Sequence, residues 1–236
     1  MAKLGTSSRV RVASRCVRRF HPARILSASA LNRVLHLGLL TLVLSGVSFA
    51  AAPIPDCDPG KLSDYLKMSA EGCAVGKYRL SNFSYHPGSD GLAADAISIT
   101  VGVSPGSDDP GILIEGHWSH PLRQPSIISY SVEPLPAGRL LAAATLQMQF
   151  GQVTDTGEAR VATEICPAST AGNHCPVADL KLHVVLSATA QRKASDNGRL
   201  PGPASQLRIT NVVTLSSGRN GAASFNGFML VLHAAQ

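Results

Sequence analysis

Few groups in this chain could do chemistry, and each has an ordinary alternative reading. His117 and His120 bracket Trp118 in the run HWSH. The spacing suggests a metal pair, but residues three apart on a strand point to opposite faces and do not easily share one ion. They read instead as two rim histidines around a tryptophan. In CPASTAGNHC, Cys166, His174 and Cys175 are zinc candidates, although adjacent His and Cys in a loop containing Gly and Pro fit tetrahedral ligation poorly. Asp108 and Asp109 lie in PGSDDPG, a setting where Asp side chains bond to neighbouring backbone. With Asp90 or Asp95 such a loop could hold a hard cation, and calcium would suit an exported β domain, but the twelve-residue EF-hand spacing is missing. No other cofactor is expected.

Hydrolytic signatures are weak. Ser, His and Asp are abundant, yet GxSxG does not occur, and abundance without spacing is no sign of a triad. Glu115 and Glu133 could in principle form a carboxylate pair for glycoside cleavage, whose separation decides the chemistry. Asn82-Phe83-Ser84 is a formal glycosylation acceptor that reads more simply as strand-end polarity. These groups favour a binding or structural role over catalysis. The alternative is a carbohydrate-active or other hydrolytic enzyme with two carboxylates and an aromatic platform near Trp118.

Position in the cell decides how the remaining residues are read. Leu35 to Ala50, LHLGLLTLVLSGVSFA, holds no acid, lysine or arginine and ends in small residues. It has the length of a signal-peptide core and falls short of the roughly 20 apolar residues that span a bilayer. Cleavage is expected between Ala50 and Ala51. The preceding residues are rich in Arg and Ser like a transit peptide, but LNRVLHLGLLTLVLSGVSFAA from Leu31 is already a complete bacterial signal, so translation is expected to start later than Met1.

The whole chain carries a formal charge of +6, but residues 1–50 hold eight Lys and Arg and no acid. The remaining 186 residues have 13 bases against 15 acids, a net charge of −2, which removes the electrostatic basis for nucleic-acid binding. That length suits one domain over 51–236. Four cysteines follow the leader, and an even count in an exported chain implies bridges. Three connectivities are open. Cys57 with Cys73 and Cys166 with Cys175 would close the shortest loops.

The periodicity points to an all-β antiparallel sandwich of about nine strands with a short N-terminal helical cap. Gly60 to Ala70 is the helical stretch, with Leu62, Tyr65, Leu66 and Ser69 on one face. Ile97, Ile99, Val101 and Val103 alternate with polar or small residues, as do Ile128, Tyr130 and Val132. Leu140, Ala142, Ala144, Leu146, Met148 and Phe150 share one parity and are expected to face the core together. Gln191 to Ser205 reads as a long polar loop, and SSGRNG as a hairpin turn joining the last two strands.

Cys57, Asp64-Tyr65, Gly72-Cys73, Val75-Gly76, Asn82 to Tyr85 and Trp118, with Glu164 and Cys166 further on, occur in an order that resembles exported bacterial proteins of the PEP-CTERM sorting-signal group. Those proteins close with Pro-Glu-Pro, an apolar run and an Arg cluster, whereas this sequence closes with LVLHAAQ, so no membrane span is expected after residue 51. The resemblance implies a secreted or surface protein with extracellular polysaccharide or matrix protein as partner.

Overall fold

In the computed structural model, residues 53–68, 70–168, 175, 178–188 and 192–236 are described. They form two six-stranded sheets that share one hydrophobic core, the antiparallel sandwich expected from the alternation. The elements are β1 (Gly60–Lys61), α1 (Leu62–Leu66), β2 (Cys73–Val75), β3 (Tyr78–His86), a 3-10 turn (Ala94–Ala96), β4 (Ser98–Val103), β5 (Pro110–Trp118) and β6 (Ser126–Pro134). They continue as β7 (Leu141–Thr154), β8 (Glu158–Pro167), β9 (Leu180–Ser187), β10 (Ser195–Ala204), β11 (Leu207–Ser216) and β12 (Ala222–Ala234). Sheet I has the order β1-β4-β5-β12-β7-β10, and sheet II the order β2-β3-β6-β11-β8-β9.

Inner faces follow the alternating residues. Ile99, Ile112, Ile114, Leu146, Phe228 and Leu230 of sheet I are buried, as are Leu80, Ile128, Tyr130, Val161, Ile209 and Val213 of sheet II. One polar pair enters this core: Thr163 donates to the Asn211 side chain at 2.8 Å, so the two buried groups satisfy each other.

Twelve strands replace about nine, because short β1 and β2 carry no periodic signal and β10 occupies most of the segment read as a loop. Pro201 and Pro203 hid β10, yet they are tolerated because it is the edge of sheet I, with a register shift between Arg199 and Ala204. The run SSGRNG does not close a hairpin: β11 lies in sheet II between β6 and β8, β12 in sheet I between β5 and β7, and the turn crosses between layers.

The helical cap is shorter than expected. Only Leu62–Leu66 is helical, with Leu62 and Tyr65 buried and Leu66 exposed. Five residues cannot stabilise a helix alone. Tyr65, whose hydroxyl donates to the Asp58 carbonyl at 2.8 Å and whose ring meets Phe83 edge-on, anchors it to the sandwich.

Candidate functional site

The outer face of sheet I gathers the chain's unusual side chains. Inward positions on β7 run Ala144, Leu146, Met148, and a regular alternation would make Phe150 the next. The inward position is instead Gly151, where an added Cβ would lie 2.4 Å from Leu186 of sheet II and 2.9 Å from Phe225. The parity change turns Phe150 outward, and it is 81% exposed, correcting the expectation that it joins the core. Gly151 pairs with Phe225 and Gln149 with Gly227, so Asn226 stands opposite Phe150 on β12.

A matching irregularity occurs on β5, where the register slips between Trp118, paired with Phe225, and Glu115, paired with Gly227. Bulges of this kind re-aim side chains. Here His117 is exposed and its Nδ1 lies 3.1 Å from Asn226 Oδ1. Phe150, Asn226 and His117 therefore make one row across three neighbouring strands. Glu115, Ser98 and Lys61 continue it over β5, β4 and β1 around a hollow of about 450 Å³. The row offers a bare aromatic face, an amide, an imidazole, a carboxylate, a hydroxyl and an ammonium. Such a set can stack on an apolar ring face and exchange hydrogen bonds with hydroxyls.

Further along the same face, Gly102 and Gly111 pair on β4 and β5 and floor a groove of about 330 Å³. Leu113, Met229, Val231 and Val103 line it, with Thr100 at its polar side. Beyond the groove, Asp109 is held between the strands. Its Oδ1 accepts from the Ala234 N–H at 3.0 Å and its Oδ2 lies 2.9 Å from His233 Nδ1. His233 Nε2 lies 2.8 Å from Thr145 Oγ1. Burial pushes the Asp109 carboxyl up, but the Ala234, His233 and Ser107 hydrogen bonds outweigh it and hold the carboxyl below the usual range.

Trp118 is no platform: it is 1% exposed and stacks on Phe225, ring centroids 4.7 Å apart, while its indole nitrogen is buried without a partner among the described residues. His120 is exposed beyond the end of β5, away from the ladder that holds His117. Glu115 belongs to sheet I, and Glu133, on β6 of sheet II, is ion-paired with Arg79, so the structure does not bring the two carboxylates together. Asp90 pairs with Arg123 at 3.7 Å and Asp108 with Lys77 at 2.6 Å. Among the described residues no group of three His, Cys, Asp or Glu could hold a metal ion.

Both favoured disulfides form, Cys57–Cys73 and Cys166–Cys175, which leaves neither Cys166 nor Cys175 for zinc. His174, Ala50 and Ala51 lie outside the described residues. Asn82, with φ of 55°, sits at an irregularity of β3, and Phe83 stacks on Tyr130. No helix among the described residues is long and apolar enough to cross a membrane.

Sequence reasoning missed Phe150, Asn226, Thr145 and His233. One signal was present for the first: Gly151 directly follows Phe150, and glycine inside a strand often marks a bulge or a close backbone approach.

No family model matches the sequence, and neither does any curated protein. Among solved structures, the protein described as TmCBM61 in complex with β-1,4-galactotriose aligns with a TM-score of 0.25 at 15% identity, over 65% of this chain and 86% of that one. A structure described under the specificity of carbohydrate-binding modules from the β-sandwich superfamily aligns with a TM-score of 0.26 at 8% identity, over 77% of this chain and 61% of that one. At these values neither bears on what this chain binds.

Proposed function

We propose that this chain is an exported protein that binds extracellular polysaccharide on the outer face of sheet I, at the cell surface or in the surrounding matrix. The observation that carries the reading is Phe150, a large aromatic ring left 81% exposed by a change of strand parity and set beside the His117–Asn226 pair. A solvent-facing phenyl ring gains nothing for folding, but it offers a flat apolar surface to the carbon-bound hydrogens of a sugar ring. The adjacent amide, imidazole and carboxylate supply donors and acceptors for hydroxyls. An open sheet face suits a chain lying across the strands better than a compact small molecule, which favours deep concave sites.

Export rests on the apolar run 35–50 and on two disulfides, which persist in oxidising compartments. The sorting-group resemblance adds the expectation of extracellular matrix material as the setting. A polysaccharide array probed with the purified protein tests the proposal. Binding to at least one polymer, competed by its own oligosaccharides, is the expected result; an array without binding rejects the proposal.

A further inference from the structure

The second cluster on this face points to an activity that glycan binding does not require. We propose that Thr145, His233 and Asp109 form a centre for hydrolysis of carboxylic esters, with Thr145 as nucleophile, His233 as general base and Asp109 as the residue that orients the imidazole. The inference rests on geometry independent of Phe150, which lies five residues and about 16 Å further along β7.

The hydrogen bonds define the roles. Asp109, two residues before the last β5–β12 pair (Gly111–Val231), accepts the Nδ1 proton of His233 at 2.9 Å. This leaves Nε2 as an acceptor facing Thr145 Oγ1 at 2.8 Å, so the hydroxyl donates to the imidazole. Nucleophile, base and orienting carboxylate are thus bonded in the order that activates a hydroxyl, an arrangement recognised by geometry and role rather than by sequence position. The three come from β7, β12 and the turn before β5, separated by 88 and 124 residues.

The surroundings supply the other parts. Thr145 is paired with Val231, a wall of the groove of about 330 Å³ floored by Gly102 and Gly111, which fits the acyl part of an ester of a short apolar acid. On its other side Thr145 is paired with Asn197 of β10, and Gln147 is the next outward residue of β7. Their side-chain amides are assigned to the negative charge that develops on the carbonyl oxygen.

The step balances with water alone. Thr145 Oγ attacks the ester carbonyl carbon and its proton passes to His233 Nε2. The carbon–oxygen bond to the alcohol breaks, and the alcohol leaves with that proton. Water then attacks the acyl-threonine, gives a proton to His233, and the carboxylic acid departs as Thr145 Oγ recovers its hydrogen.

The purified protein, incubated with p-nitrophenyl butyrate, tests this. Expected are nitrophenol release above the buffer rate, a butyryl adduct on Thr145 by mass spectrometry after acid quench, and a loss of at least about a hundredfold in both Thr145→Val and His233→Ala. Thr145→Ser, which keeps a hydroxyl, should retain far more activity than Thr145→Val and carry the butyryl adduct on the serine. Release no faster than in buffer, or activity undiminished in a folded Thr145→Val protein, overturns the proposal. The adduct on the unaltered protein decides the matter if the variants do not fold.

Discussion

His233 Nδ1 lies 2.9 Å from Asp109 Oδ2 although 124 residues separate them, and the same carboxylate accepts the backbone N–H of Ala234. Asp109 therefore ties the turn before β5 to the end of β12, one of the two middle strands of sheet I. Its side chain is only 13% exposed, so these are shielded bonds to a charged group.

This relationship fixes an acid limb of stability. Burial pushes Asp109 up and its hydrogen bonds to Ala234, His233 and Ser107 bring it below the usual carboxylate value; Asp196 is likewise raised by burial and lowered further by Lys193 and His183. A carboxyl depressed in the folded state stabilises the protein above the unfolded value of about 4 and loses that contribution as pH falls through its folded value. Urea midpoints should hold between pH 7 and 5 and fall below about pH 4. Asp109→Asn should lower the midpoint at pH 7, and its acid decline should be shallower. Identical acid limbs in the two proteins would contradict this account.

Trp118 and Phe150 invite one substitution with opposite costs. Trp118→Ala opens a cavity beside Phe225 and should cost about 3–5 kcal/mol. Phe150→Ala removes an exposed ring and should stay within about 0.5 kcal/mol. Equilibrium unfolding in urea gives both values.

Gly151 guards the parity change. An alanine methyl there would collide with Leu186 and Phe225, and overpacking of this kind costs roughly 1–3 kcal/mol. Gly151→Ala should also alter the emission of Trp118, the chain's single tryptophan, because Phe225 stacks on it. An unchanged spectrum would show that the neighbours adapt elsewhere.

The two disulfides close loops with sequence separations of 16 and 9, each worth about 3 kcal/mol on the chain-entropy estimate. For a domain of this size 1 kcal/mol corresponds to roughly 2–4 °C. Reduction should therefore lower the calorimetric Tm by about 5 °C or more per bridge, and an unchanged Tm would make the bridges incidental.

The sandwich was legible because Ile97 and Ile99, or Ile128, Tyr130 and Val132, repeat the period of two that a half-buried strand imposes. Strand β10 was not, because Pro201 and Pro203 argue for a loop and only an edge position tolerates them. Phe150 was assigned to the core since alternation assumes an unbroken pleat, and the shift at Gly151 breaks it. The Asp109–His233–Thr145 chain was invisible because register alone brings those residues together, and register depends on which strands become neighbours. The disulfide partners were accessible from sequence only because loop-closure entropy favours short loops.

The proposed role of the exposed Phe150 ring, with His117 and Asn226, is to hold a sugar chain. It is tested most directly by measuring the affinity of the purified protein and of Phe150→Ala for one polysaccharide that the unaltered protein retains, by isothermal titration at matched folding. Phe150→Ala should lose at least tenfold in affinity at an unchanged melting temperature; equal affinities in the two proteins would show that the ring takes no part in binding.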